Sequence, residues 1–310
     1  RWVEVDIAFA GLTPQVAAVR AGGVRLHGSW HDGRLRLGEL DRFRDPDSTA
    51  PFSLPDMLVS LADARLTLDT DAGRMGMQID GDGNLQSGFK GRLAAAMPRG
   101  TLAGCGLSQA SAMVNIAMQQ GQPHLSGPVR ADALACRDAG AAIARPAATI
   151  DLTLGKALDR WAGHVDLSGQ AFRGGGMVLA SPSGRIDFDG MAARTTGQLR
   201  LDAAALTGRG ALLRNAALSG EWAVGKDMTS FKGDLGGQDL RLSGRDPLAR
   251  LRSASAGTPV APLAIRLADA VERAGQSNRV KTSFALVQKQ GAGSLAITDA
   301  ALDARSGARL

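Results

Sequence analysis

The chain has 310 residues, room for one large core or two ordinary ones, and with 44% hydrophobic and 21% charged residues it is too apolar to be disordered as a whole. Its net charge of +6 comes from bases and acids that alternate without runs of five or more, the pattern of a solvated face and not of a nucleic-acid footprint, so no nucleic acid is expected as a partner. No apolar run reaches the roughly 18 residues of a spanning helix and no signal-peptide order opens the chain; both ends read as strand fragments, and the chain is expected to be a piece of a longer protein.

Taken in chain order, the recurring event is a short alternating apolar run, a turn rich in Gly, Asp or Asn, and a second alternating run. It occurs over residues 23–40, 65–81, 148–169, 184–203, 217–237 and 281–300. Alternation of period two gives one apolar and one polar face. Turn signals arrive about every 8 to 15 residues, the spacing of an antiparallel meander and not of strand-helix-strand units. The 40 glycines, with 8 Phe, 4 Trp and no Tyr, fit many turns better than a compact aromatic core. Residues 41–53 are polar and proline-bearing and read as a loop.

One segment breaks the rhythm. Pro262 suits a first turn, Leu263, Leu267, Ala270 and Val271 share one side at helical spacing, and Gly275 is placed as a stop. This predicts a short helix near 261–274, within a helical insertion over 246–275. The basic stretch from Arg241 to Lys281 suits anionic headgroups, and solvation accounts for it as well. No linker divides the chain. Residues 1–310 are therefore expected to form a single continuous segment that is mainly β, a long curled antiparallel β-sheet forming an open hydrophobic groove.

Motifs that carry chemistry are missing. His27 and His31 are four apart, but Gly28 and the following turn argue against a helix that would bring both to one metal. Residues 80–84, Asp-Gly-Asp-Gly-Asn, imitate the opening of a calcium loop, yet Leu85 stands where Gly is needed and Gly91 where a bidentate Glu belongs. The pairs Gly81 and Gly83, Gly104 and Gly106, and Gly208 and Gly210 lack the third glycine of a nucleotide fingerprint. No catalytic residue, metal or cofactor is nominated, and the chain is read as a non-enzyme. Cys105 and Cys136 fit neither a zinc spacing nor a CxxC motif. They are compatible with one disulfide in an oxidising compartment, and also with two buried thiols.

The candidate site is the apolar face itself: Leu66, Leu68, Met75, Met77, Ile79, Leu93, Ile150, Leu152, Leu154, Val165, Leu167, Ile186, Phe188, Leu199, Leu201, Trp222, Val224, Leu295 and Ile297. A single short helix cannot cover so much. Either two such sheets close as a filled sandwich or one sheet curls and leaves an apolar trough. Scarce large rings favour the trough, since Leu, Ile, Met and Val leave room for a flexible guest.

Residues 62–97 carry a more specific pattern. Asp63-Ala64, Leu66, Leu68, Thr70 and Gly73 form one half, and Leu85, Gly88, Phe89, Gly91 and Leu93 the other. The segment resembles the repeating unit of the bacterial AsmA-like superfamily, particularly its YdbH and TamB branches, although Asp71-Ala72 stands where the family often has proline. Residues 262–310 are similar to a later part of YdbH-like proteins. The resemblance implies a bridge-like lipid-transfer protein, anchored in the inner membrane, whose periplasmic β-groove conducts phospholipid between inner and outer membranes. At about 0.8 kcal/mol per methylene, keeping a chain of about 15 methylenes out of water is worth roughly 12 kcal/mol, so a continuous apolar path removes a prohibitive barrier. The alternative is a structural or adhesive all-β envelope protein, a filled sandwich or a β-helix, without lipid transport. A β-helix predicts stacked Asn ladders, and the chain has only Asn84, Asn115, Asn215 and Asn278.

Overall fold

The structure, a computed structural model, describes residues 1–10, 12–31, 34–38, 54–102, 104–208, 210–242, 249, 253, 265, 278–289 and 292–304. It is mainly β, with 80% of the described residues in strands and, among them, 21 strands in one hydrogen-bonded sheet. At the N-terminal side, β1 (Trp2–Ala10) pairs with β2 (Thr13–Gly22), and β3 (Arg25–His31) with β4 (Arg34–Arg36). β5 (Leu58–Thr70) runs parallel to both β2 and β3. An antiparallel meander follows through β6 (Gly73–Asn84), β7 (Lys90–Leu102) and β8 (Cys105–Gln119). Eight shorter strands come next: β9 (Gln122–Arg130), β10 (Ala133–Cys136), β11 (Ala141–Ala144), β12 (Ala147–Leu154), β13 (Arg160–Ser168), β14 (Ala171–Gly174), β15 (Met177–Ala180) and β16 (Ser183–Met191). Long strands then return as β17 (Arg194–Gly208), β18 (Ala211–Gly225), β19 (Met228–Leu242), β20 (Asn278–Lys289) and β21 (Ala292–Ala304). Each of the six segments expected to be hairpins contains two strands. Residues 261–274, expected to be helical, and the insertion 246–275 lie outside the described residues, apart from Ala249, Ser253 and Ile265, which are helical. The 41–53 loop lies outside them as well.

Ten strands close on themselves. The path β8-β9-β12-β13-β16-β17-β15-β14-β11-β10 returns to β8, a closed ten-strand antiparallel barrel in its connectivity, which differs from the open groove expected of the sequence. The ring has an unusual make-up. Only Ala131 and Asp132 separate β9 from β10, Arg145 and Pro146 separate β11 from β12, Gly169 and Gln170 separate β13 from β14, and Ser181 and Pro182 separate β15 from β16. These joining residues are themselves hydrogen-bonded sideways. Arg145 N–H donates to the Asp132 carbonyl at 2.8 Å, Ala131 N–H to Pro146 at 2.9 Å, and Ser181 N–H to Gln170 at 2.9 Å.

Contacts cluster into two compact units: unit 1, Arg1–Asp138, Ala144–Asp166 and Phe188–Ala192, and unit 2, Ala139–Ile143, Leu167–Asp187 and Ala193–Leu310. Each contains a line of bends. In unit 1, Gln109 (φ 48) lies inside β8 and Arg145 (φ 46) between β11 and β12; in unit 2, Ser181 (φ 46), Asn215 (φ 48) and Asp239 (φ 51) lie in or between strands. A non-glycine residue in this left-handed region turns the chain out of its extended path at a cost of roughly 1–2 kcal/mol. The bends are aligned by register. Asp132 N–H reaches the Ser108 carbonyl beside Gln109 at 3.0 Å, and in unit 2 Ala180 faces Ala205, Ala203 faces Ala216 and Arg214 faces Gln238.

The largest buried clusters are small. In unit 1, Val59, Phe89 and Met118 pack with Leu54, Met57, Leu61, Leu85 and Ile116. Phe89 fits because Gly81 and Gly91 have no Cβ, which would stand 2.7 and 2.8 Å from its ring. Gly88, at φ 112, makes the turn before it. In unit 2, Ala203, Leu213 and Ala216 pack with Leu179, Leu206, Leu240 and Val280. At the start of the meander, Asp63 (φ 51) bends β5. Arg25 donates to its carboxylate and carbonyl at 2.8 Å, and Arg65 to its other carboxylate oxygen at 2.8 Å. The Arg25 hydrogen bond, then that of Arg65, hold the Asp63 carboxyl below its ordinary value of 3.8.

Candidate functional site

Cross-strand partners share a face, so the registers show what the alternating residues build. In unit 1, Leu66 faces Met77, Leu68 faces Met75 and Ala64 faces Ile79. Ile79 then faces Leu93, Leu93 faces Val114, Ile116 faces Leu125, and Leu125 faces Leu152. Ile150 lies opposite Gly127 on that same side, and Leu154 is two residues beyond Leu152. The expected residues Leu66, Leu68, Met75, Met77, Ile79, Leu93, Ile150, Leu152 and Leu154 are thus brought onto one apolar face. The opposite face is polar along the same line, from Asp80 to Arg92, Asn115, Ser126 and Asp151. There His124 Nε2 lies 3.0 Å from the Asp151 carboxylate.

Unit 2 repeats the arrangement. Leu201 faces Leu218 and Leu218 faces Leu235, while Leu199 lies opposite Gly220. Trp222 faces Phe231, Phe231 faces Leu286, and Leu286 faces Leu295. Phe284 faces Ile297, and its ring lies 5.6 Å from that of Phe231. The Trp222 indole packs against Gly197, where a Cβ would stand 2.9 Å from Nε1, and Nε1 is buried without an acceptor. Of the remaining expected residues, Val165 and Phe188 in unit 1 and Leu167 and Ile186 in unit 2 are half-buried on β13 and β16.

This face is incompletely covered. Leu68 is buried, most of the others are half-buried, and Val224 and Ile297 are 44% and 66% exposed. Among the described residues no large side chain is fully buried. One hollow beside the bends in unit 1 is lined by Gln109, Arg130, Asp132 and Arg145 together with Ala131 and Pro146.

Reading period two alone missed half of this surface, because the alternation slips by one place at each bend. Apolar positions are even-numbered in β18 at Ala216, Leu218 and Trp222, then odd at Leu213; they are odd in β17 at Leu199, Leu201 and Ala203, then even at Leu206. In unit 2 Ala203 and Ala216 nevertheless pack with Leu206 and Leu213, so both arms of each strand keep their apolar side on the same face. Unit 1 has the same slip between Val114 and Leu107 in β8. The signal is visible in the sequence once the strands are known to be about 15 residues long and bent at the middle.

Cys105 and Cys136 are joined by a disulfide across β8 and β10, with their Cα atoms 4.0 Å apart. Among the described residues no group of three His, Cys, Asp or Glu is arranged to hold a metal ion. What the arrangement offers is binding of apolar matter. No protein-family model matches the chain, and no curated protein or solved structure matches it.

Proposed function

We propose that the chain is a segment of a bridge-like lipid-transfer protein of the AsmA-like type, in which phospholipids slide along an apolar groove through the periplasm between inner and outer membranes, with the membrane anchor in parts outside this segment. The observation that carries the reading is the apolar face: within unit 1 it passes from strand to strand through the β5–β8 registers and is left largely half-exposed. Contiguous exposed apolar surface of this kind marks a binding site.

The bends support the groove reading. In an ordinary barrel, strands on opposite sides of the ring are separated by a lumen. Here β9 and β10 are one path interrupted by two residues, as are β11 and β12, and the interruptions are hydrogen-bonded to one another. Within each unit we read such interrupted paths as strands creased at the middle, whose two arms keep their apolar side in common. The packing of Ala203 and Ala216 with Leu206 and Leu213 across the crease supports that reading. An acyl chain lying in the crease exchanges one apolar neighbour for the next, so about 0.8 kcal/mol per methylene is never returned to water. The disulfide fits an oxidising compartment such as the periplasm.

The filled sandwich finds less support, because a packed core buries large side chains completely. A β-helix requires parallel coils, whereas the long ladders are antiparallel. The test places photo-crosslinking residues at Leu68, Leu154 and Leu201, with Thr67, Thr153 and Arg200 as opposite-face controls, in protein exposed to phospholipid vesicles. Lipid adducts are expected at the first three positions. Equal labelling of both sets overturns the groove.

A further inference from the structure

We infer that the tip of the β1–β2 hairpin inserts into the surface of a lipid bilayer, a membrane contact within this segment that does not depend on the groove. Among the described residues β5 pairs with β2 only over Ala18–Gly22. Beyond Ala18, β1 and β2 continue with each other alone: Ile7 faces Val16, Ala8 faces Gln15 and Phe9 faces Pro14. The outer part of the hairpin is therefore a two-stranded ribbon that extends past the sheet. Its large apolar side chains stand in water, with Ile7 60%, Phe9 72% and Leu12, in the turn, 99% exposed. The other side of the ribbon, at Ala8 and Gln15, is exposed as well.

Two features select a bilayer over a folded partner. A protein docking on the ribbon covers one side and leaves the other to water, so it calls for a polar back; a bilayer surrounds the tip and calls for none. Residues 7–19 accordingly carry no charge on either side. Charge begins at the base, where Arg20 pairs with Asp6 at 2.9 Å and with Glu4 at 3.7 Å, at the level where headgroups would stand. Other turns of the sheet are built for water: Asp71 follows β5, Lys156 follows β12, and Lys226 and Asp227 follow β18. A turn that ends in Phe9 and Leu12 breaks that rule, and exposed apolar surface of this kind marks an interaction. The insertion is shallow. The outer edges of a two-stranded ribbon carry N–H and C=O groups that hydrocarbon cannot satisfy, and Pro14 removes only one donor. The tip therefore reaches the boundary of headgroups and acyl chains, about 5–10 Å deep, or roughly two to three residues of strand. With the basal charges matched, salt has little to screen.

The test uses the purified chain with Leu12→Cys carrying an environment-sensitive fluorophore. Both native cysteines are held in the disulfide, so the new thiol is labelled alone. On addition of phosphatidylcholine vesicles its emission is expected to shift to the blue and rise several-fold, equally at low and high salt. Lipids spin-labelled near the headgroup should quench it more than lipids labelled at the chain end. The same fluorophore at Lys226→Cys, in the turn after β18, stays unchanged. The combined variant Phe9→Ser, Leu12→Ser should bind vesicles about ten-fold more weakly in flotation and keep its melting temperature, because both side chains are exposed. An unresponsive label at Leu12→Cys, a response matched by Lys226→Cys, or flotation unchanged in the double variant overturns the inference. A blue shift that grows with protein concentration in the absence of vesicles assigns the tip to a second copy and overturns it too. Each of these results leaves the groove standing, since that reading is tested separately by crosslinking at Leu68, Leu154 and Leu201.

Discussion

Leu201→Asp separates an open apolar face from a filled core through stability and binding together. Leu201 is half-buried and faces Leu218, which in turn faces Leu235. Fully burying a leucine is worth about 1.5–3 kcal/mol, so a half-covered one contributes about 1 kcal/mol, and a carboxylate there can still reach water. The expected loss on unfolding is therefore about 1–2 kcal/mol. In a filled sandwich the same substitution leaves an unpaired charge inside a packed core and costs more than about 4 kcal/mol. Urea unfolding followed by tryptophan fluorescence gives the stability, and vesicle extraction gives lipid capture. The groove requires a small stability loss with strongly reduced capture. A loss above about 4 kcal/mol, or capture equal to that of the unaltered protein in a folded variant, refutes the reasoning.

Replacing both Cys105 and Cys136 with Ser opens a cross-link spanning 31 residues, which the chain-entropy relation values at about 3–4 kcal/mol; the denaturant midpoint should fall, and reductant should reproduce the fall in the unaltered protein. Equal midpoints would contradict it. Gly233→Ala places a Cβ against the Ser219 carbonyl oxygen and 2.9 Å from both Gly220 and the Phe231 ring, whereas Gly76 has nothing within 4 Å. Thermal melting should show a loss of about 1–3 kcal/mol for Gly233→Ala and none for Gly76→Ala. Because Asp63 has its carboxyl held below 3.8 in the folded chain, its contribution is complete above that ordinary value and is lost as pH falls through the lowered one. Asp63→Asn should therefore be less stable than the unaltered protein at pH 7, with the difference shrinking below pH 3.8; a difference that stays constant to low pH excludes the arginine clamp.

Local alternation made much of the sheet legible. Residues 65–81 and 217–237 read as hairpins because Gly and Asp mark their turns and their apolar residues fall at every second place, and the structure has β5 with β6 and β18 with β19 there. The parallel pairing of β5 with β2 and β3 was not legible, since it joins residues about 40 apart, such as Ala18 with Leu58. Segments such as Cys105–Gln119 were passed over because alanine and serine dilute the alternation, although Val114, Ile116 and Met118 keep it. The candidate face was legible for one arm only. Leu206 and Leu213 were lost because a strict count from Leu201 or Leu218 assigns them to the polar side.

That slip is what lets a single layer stay greasy on one side through a bend. Shifting a strand's alternation by one place exchanges its faces. Had alternation run unbroken through Asn215, Leu213 would share the face of Ser219 and Glu221, and each arm would need its own covering layer. The left-handed residue adds the place that restores the side. The same device recurs at Gln109, Arg145, Ser181 and Asp239, each at roughly 1–2 kcal/mol, without the glycine that would make it cheap. Strain repeated at matched positions is not explained by local turn chemistry. It is explained if the apolar side must continue across every bend, and a surface kept continuous in that way suits a guest that moves along it better than one held in place.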